Sequence, residues 1–388
     1  MQTWSTLKKK SVYYWSPFLT PIATCKAVIN SAYSLNKYDK NYDIKIFNFF
    51  GEFSKFEQDI SEKKIKLISY FNKKIIKFLP KYGKLKSRLS FIIIFLLSFF
   101  PLKKFLEKEK PDYLIVQMIT SLPLTLLILF NFKTKFILRI SGLPRLNIFR
   151  KILWKIASKK IYAITCPTNA TKEKISKLKI IEDNKIFLLY DPVVIIKDIP
   201  IEKKKNFLNN KVKKKYFLSA GRFTSQKNFF FLSNEIKNFF EKEKDYQLLI
   251  AGEGEEKKKI IQYIKKNKLN DKIILLGHVK NLFYYMNQAE VFILSSLWED
   301  PGFVIIEAAF AKTLVLSSDC YAGPKELLKD NINGVLFNSN NSKSFQEKLQ
   351  YVINLNKEKK MRMIKKNILE SKKFTIFSHY KSLQNILK

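Results

Sequence analysis

Apolar residues gather along this chain into runs of about four to eight, each closed by a turn signal and followed by a longer segment of helical period. In the first half the runs fall at Ser11–Pro17, Tyr42–Phe49, Asp112–Ile119, Thr134–Ser141, Ala163–Thr168 and Lys185–Pro192. In the second half they fall at Lys214–Gly221, Tyr246–Gly254, Lys272–Val279, Glu290–Ser296, Leu314–Cys320 and Gly334–Phe337. Strands that alternate with helices predict parallel sheets joined by right-handed crossovers. Two such series in 388 residues predict two α/β domains.

The series is broken by Lys197–Lys215, KDIPIEKKKNFLNNKVKKK, a proline- and lysine-rich stretch without apolar periodicity that reads as a solvated linker. Phe374–Leu387 reads as one last amphipathic helix. The longest apolar run, Leu89–Leu102, spans 14 residues with lysine on both sides, short of the ~20 needed to cross a bilayer. It reads as a buried helix, with a helix lying in a membrane interface as the alternative. The opening MQTWSTLKKKSVYYW lacks the apolar core and cleavage site of a signal peptide, so the cytoplasm is the expected location.

Charge changes this picture less than its size implies. There are 72 basic against 33 acidic residues, a formal +39, but only six of the bases are arginine. Lysine is abundant together with Asn, Ile, Phe and Tyr while glycine is scarce, a bias that A-plus-T-rich codons produce without any partner. Arginine is the better bidentate reader of phosphate and guanine, so a dedicated nucleic-acid reader is not expected. An anionic membrane surface remains a second reading of the lysine excess. Cys25, Cys166 and Cys320 lie far apart, and His278 and His379 are the two histidines. No zinc set, disulfide framework or catalytic triad is legible, and a reducing compartment fits.

Two segments carry chemistry. The strand KKYFLSAG runs into GRFTSQKNF, where Gly221 permits close backbone approach at a strand-to-helix turn and a helix start favours an anion. Arg222 and Lys227, five positions apart, bring two cations to the same mouth, enough to hold a diphosphate and the charge that grows as it leaves. The plainer alternative is a turn with exposed bases. The second segment is SSLWEDPGFVIIEAAFAK, with Glu299 and Glu307 eight positions apart. Glu299 precedes a proline-glycine turn at a strand end, and Glu307 lies two turns into an apolar helix face shared with Val304, Ile305, Ala308 and Ala309. A carboxylate there needs a partner, and vicinal sugar hydroxyls are one; a capped, salt-bridged pair is the other. Gly302 leaves its own amide and those of Phe303 and Val304 open at a helix start. SDCYAGPKELL repeats the strand-to-helix turn, His278 is a lone loop histidine, and AGEGEE lacks the third glycine of a dinucleotide fingerprint.

With GRFTSQKN, SSLWEDPGFVIIEA and SDCYAGPKELL in this order and spacing, the second half closely resembles the large retaining glycosyltransferase family 4, most specifically over residues 216–340. The resemblance implies the GT-B fold: two Rossmann-like domains facing across a cleft. Residues 1–200 would bind the acceptor and 201–371 the nucleotide sugar, with residues 372–388 a C-terminal helix returning to pack on the N-terminal domain. Carried over by position, Gly221, Arg222 and Lys227 match the diphosphate site, Glu299 the glutamate on the transferred sugar, and Glu307 the glutamate on the ribose. The amides of Gly302, Phe303 and Val304 would hold sugar and phosphate, and His278, Val279 and Lys280 would lie near the base. Glu299, Arg222 and Lys227 are the residues expected to act in transfer.

The same resemblance implies a hexosyltransferase type of enzyme that needs no metal and no cofactor beyond its nucleotide-sugar co-substrate. The acceptor is expected to be a glycan or a lipid-linked sugar of bacterial surface polysaccharide or lipopolysaccharide synthesis. Separately from the resemblance, the lysine excess and the apolar run Leu89–Leu102 lead to the expectation of peripheral contact with anionic lipid at the cytoplasmic face of the inner membrane. The first half departs from the family pattern in two places. SPFLTPIATC stands where a glycine-rich loop is common, and ILRISG puts Ser141 where many members have histidine. Thr24, Arg139 and Ser141 are the acceptor-side candidates. The alternatives are a basic protein binding nucleic acid or acidic lipid on an inactive scaffold, and an epimerase or phosphorylase of the same fold.

Overall fold

The computed structural model describes residues 9–19, 23–71, 75–80, 84–142, 146–199 and 215–388. The chain divides into two compact units, Met1–Val193 with Ile376–Lys388, and Val194–Thr375. The linker read at Lys197–Lys215 lies largely at 200–214, outside the described residues.

The first unit is built on a seven-stranded parallel sheet: β1 (Lys10–Trp15), β2 (Tyr42–Asn48), β3 (Lys66–Ser69), β4 (Tyr113–Gln117), β5 (Lys135–Arg139), β6 (Ala163–Cys166) and β7 (Ile186–Leu188). Their order is β3-β2-β1-β4-β5-β6-β7, with Val12 of β1 opposite Ile44 on one side and Tyr113 on the other. The helices between them are α1 (Ala23–Tyr38), α2 (Glu57–Glu62), α3 (Ile75–Phe78), α4 (Lys84–Glu109), α5 (Ser121–Leu129), α6 (Ile148–Ser158) and α7 (Asn169–Lys177). The pleat sends alternate residues to opposite faces. Tyr13, Trp15, Leu114, Phe136 and Leu138 meet α4, α5 and α6 through Ile94, Leu102, Leu122, Leu126 and Trp154. Val12, Tyr14, Ile115 and Ile137 meet α1 and the C-terminal helix through Val28, Ile29, Ala32, Leu383 and Ile386.

Two elements depart from the sequence reading. β3 is an edge strand of four residues whose side chains are half-buried or exposed, so it leaves no apolar run to find. The segment read as a buried helix is the 26-residue α4, and Arg88–Glu109 is by length and composition alone enough to cross a bilayer. From Arg88 on, one stripe of it is buried: Ser90, Ile94, Ser98, Leu102 and Leu106.

The second unit holds six parallel strands: β8 (Lys215–Ala220), β9 (Tyr246–Ala251), β10 (Ile273–Gly277), β11 (Val291–Leu294), β12 (Val315–Ser318) and β13 (Val335–Phe337), in the order β10-β9-β8-β11-β12-β13. Its helices are α8 (Phe229–Lys242), α9 (Lys257–Lys266), α10 (Leu282–Gln288), α11 (Phe303–Phe310), α12 (Gly323–Leu327), α13 (Ser342–Ile353) and α14 (Lys357–Ser371). The last helix, α15 (Ile376–Ile386), belongs to the first unit and packs on α1, where Tyr38 meets the Phe377 ring edge-on.

Candidate functional site

The second sheet reverses direction at β8. From β8 the chain adds β9 and then β10 on one side, and it returns to place β11 on the other. Loops leaving the carboxyl ends of β8 and β11 therefore diverge, and an open α/β sheet offers its crevice there. GRFTSQK leaves β8 and SSLWEDPG leaves β11, so the two chemically marked segments meet at this switch point for topological reasons.

Backbone and side-chain hydrogen bonds stitch the two loops together. Leu297 N donates to Gln226 O at 2.8 Å, Gln226 Nε2 to Trp298 O at 2.8 Å, and Ser295 Oγ to Lys227 O at 2.9 Å. The result is an ion pair and hydrogen bond between Lys227 Nζ and Glu299 Oε1, with only 13% and 6% of the two side chains exposed. Ser296 Oγ donates to the same Glu299 oxygen at 2.6 Å, and Ser318 Oγ donates to Ser296 O at 2.6 Å. Lys227, Glu299, Ser296 and Ser318 thus form one polar cluster under the β8, β11 and β12 strand ends.

Three glycines let the loops after β9 and β12 approach these two closely. A Cβ on Gly252 would stand 1.9 Å from Gly221 O, one on Gly254 2.5 Å from Phe223 O, and one on Gly323 1.8 Å from Pro301 O. The glycines of AGEGEE are therefore accounted for by packing against the backbone of Gly221 and Phe223. Gly302 takes φ 89°, in the left-handed region, immediately before α11. Gly302 caps the helix and Phe303 and Val304 begin it, so their amides have no carbonyl one turn earlier to serve.

Cys320 lies buried beside this cluster. Burial pushes its thiol up to about 12; the Ser318 hydrogen bond opposes that, the Glu299 carboxylate adds to it, and Lys227 opposes it. It stays protonated and is no nucleophile. Around the cluster, Arg222 is exposed and His278 is exposed at the end of β10, with Val279 half-buried and Lys280 exposed. Glu307 is half-buried and shares that side of α11 with Phe303 and Val304, whereas Ile305, Ile306, Ala308, Ala309 and Phe310 are buried. The face assigned from sequence to Glu307 was therefore one position off for Ile305, Ala308 and Ala309. Among the described residues no group of three or more His, Cys, Asp or Glu is placed to hold a metal.

The first-half candidates differ in exposure. Thr24 is half-buried in the first turn of α1 and Ser141 is exposed beyond β5. Arg139 is 4% exposed and ion-paired with Asp191 at 2.5 Å. The guanidinium is committed to a buried carboxylate, so it presents no face to an acceptor. Of the cluster residues, Ser296 and Ser318 were not singled out in the sequence. Their one signal was polar residues ending otherwise apolar strand runs, FILSS and LVLSSDC.

Known proteins resemble this chain in sequence and in fold. The family model described as glycosyl transferases group 1 matches residues 200–370. An uncharacterized glycosyltransferase of Methanocaldococcus jannaschii is 29% identical over 77% of this chain and 74% of its own. A Campylobacter jejuni enzyme, named as an alpha-1,4-N-acetyl-D-galactosaminyltransferase acting on a diphospho-undecaprenol-linked glycan, is 25% identical over 82% of this chain and 83% of its own. Among solved structures, Anabaena HepE in complex with UDP and glucose superposes with a TM-score of 0.71 at 14% identity, covering 97% of this chain and 98% of that one. That likeness shows the fold, GT-B.

Proposed function

We propose how this chain, a glycosyltransferase whose residues 200–370 belong to the group 1 glycosyl transferases, performs its transfer: with retention, from a nucleoside diphosphate sugar to a glycan or lipid-linked acceptor. The observation that carries the reading is the Lys227–Glu299 pair, buried at the β8/β11 switch point with exposed Arg222 on the same loop. A diphosphate seated at this mouth competes with Glu299 for the Lys227 ammonium and gains Arg222 as a second cation. As the sugar–phosphate bond breaks, both cations offset the charge growing on the leaving oxygen. Glu299, released from Lys227 but still held by Ser296, can then accept hydroxyl hydrogen bonds from the sugar. Glu307 serves the ribose, and the amides at the start of α11 meet sugar or phosphate oxygens.

The chain offers no activated nucleophile at the cluster, since Cys320 is held as a thiol. Front-face transfer, in which a leaving phosphate oxygen takes the acceptor proton, needs none. Cations from Arg222 and Lys227 take the place a divalent metal would hold. A lipid-linked acceptor is supported by the undecaprenol-linked substrate in the name of the Campylobacter relative, and a uridine donor by the UDP in the HepE complex. Thermal shift across a panel of nucleotide sugars identifies the donor, because a ligand at 100 times its dissociation constant stabilises by about 2.7 kcal/mol. Product NMR then reads the anomer. An inverted anomer sinks retention, and activity lost in chelator and restored by magnesium or manganese sinks metal independence.

A further inference from the structure

The outer side of the first unit carries an apolar surface that the described residues leave uncovered. α4 is apolar all round: behind the stripe that enters the core, Leu89, Ile92, Leu96 and Phe100 face outward, Phe100 at 72% exposure. A helix on a water-facing surface would carry charge at those positions. α6 lies on the same face of the sheet, beyond α5, and shows the same fault. Ile148, Ile152 and Ile156 recur every fourth residue beside Phe149, with Ile148 at 80% exposure.

Charge frames this surface. The α6 sequence IFRKILWKIAS has three basic residues, exposed Arg150, Lys151 and Lys155, and no acid. Exposed Arg88 and Lys104 bracket the outward stripe of α4. Cations interleaved with exposed Ile, Leu and Phe are what the boundary between headgroups and acyl chains accommodates. We propose that α4 and α6 form a docking surface for an anionic lipid bilayer, lying flat on it with their outward aliphatic and phenylalanine side chains in the interface and their bases among the headgroups.

Two competing occupants fit less well. A second copy of this chain would bring the same cations against these, with no acid on α6 to pair them. A span through the bilayer would have to draw Ile94, Leu102 and Leu106, with half-buried Phe91, Phe95, Phe99 and Phe105, out of the core they share with the sheet.

The test is flotation of the full chain, without substrate, on vesicles of phosphatidylcholine alone and of phosphatidylcholine with phosphatidylglycerol. Binding is expected on the anionic vesicles only, and it should weaken between 0.1 M and 1 M salt as the screening length falls from about 10 to 3 Å. The variant Phe100→Ser/Phe149→Ser/Ile152→Ser should lower partitioning at least about tenfold, with circular dichroism unchanged. If that variant does not fold, Lys151→Glu/Lys155→Glu, at exposed positions, should give a loss of the same sign. Absence of flotation on anionic vesicles at low salt overturns the proposal, as does binding indifferent to both variants. A dimer in sedimentation that the substitutions dissolve assigns the face to a second copy, and binding that survives carbonate assigns α4 to a span; either result also overturns it. Because no substrate enters the measurement, its failure leaves the proposed transfer untouched.

Discussion

Among the described residues, each unit holds a largely buried cation–carboxylate pair near the carboxyl ends of its strands, and the two pairs have opposite surroundings. In the first unit Arg139, ending β5, pairs with Asp191, and α15 closes over them: His379 bonds Tyr190 O through Nδ1 and Ser31 Oγ through Nε2, both at 2.7 Å. Arg139, Asp191, His379 and Ser31 line a cavity of about 10 Å³, room for roughly one water. Burial, helped by the Arg139 charge, pushes His379 down to about 4, so it is neutral. In the second unit Glu299 is buried and the Lys227 side chain is 13% exposed, and the exposed Arg222 and the start of α11 stand beside them. Burial of an ion pair therefore does not mark a site. A pair marks one when further groups of the same chemistry remain open next to it.

That contrast can be broken from several sides. The largest effect is expected from Arg139→Met, which leaves Asp191 charged and alone in the core and should cost about 3–5 kcal/mol of stability. Arg139→Met/Asp191→Leu should regain most of that in thermal unfolding and leave sugar transfer intact. The corresponding double variant in the other unit, Lys227→Met/Glu299→Gln, should also regain stability over either single change. Its transfer should stay down by about 10²–10³-fold, the usual loss for one donor to a developing oxyanion. Normal turnover by this variant would erase the distinction between the two pairs.

A pH dependence sharpens the structural side. Between about pH 6.5 and about 4 the unfolded chain protonates His379 while the folded chain does not. The unfolded state then binds more protons, so this contribution is full above pH 6.5 and is lost as pH falls toward 4, by up to about 3 kcal/mol. Urea unfolding at pH 7 and pH 4.5 should show the loss, and His379→Gln should flatten it. An unchanged slope in the variant would remove His379 from the account.

The smallest effect is on Glu307→Gln. Removing one charged hydrogen bond should cost about 1.5–3 kcal/mol, hence roughly ten- to a hundred-fold in donor affinity or turnover. Its melting temperature should move far less than that of Arg139→Met. Normal kinetics with a large fall in melting temperature would make Glu307 a structural carboxylate like Asp191.

The strands were legible in the sequence because parallel strands covered on both faces leave unbroken apolar runs, as in VYYW of β1 and LLIA of β9. The β8 and β11 loops were legible because their glycines and charges sit at fixed distances after such runs. β3 was not, since an edge strand with half-exposed side chains leaves no run, and α4 was misjudged because apolar residues all round a helix look the same whether its outer side meets core, lipid or nothing. The fate of individual charges lay further out of reach. Arg139 and Arg222 both follow apolar strands, and only the return of α15 over β5, against an open turn after β8, makes one a structural ion and the other an exposed cation. Burial and partner choice depend on residues brought from far along the chain, Asp191 to Arg139 and Glu299 to Lys227, and that proximity exists only once the sheets have formed.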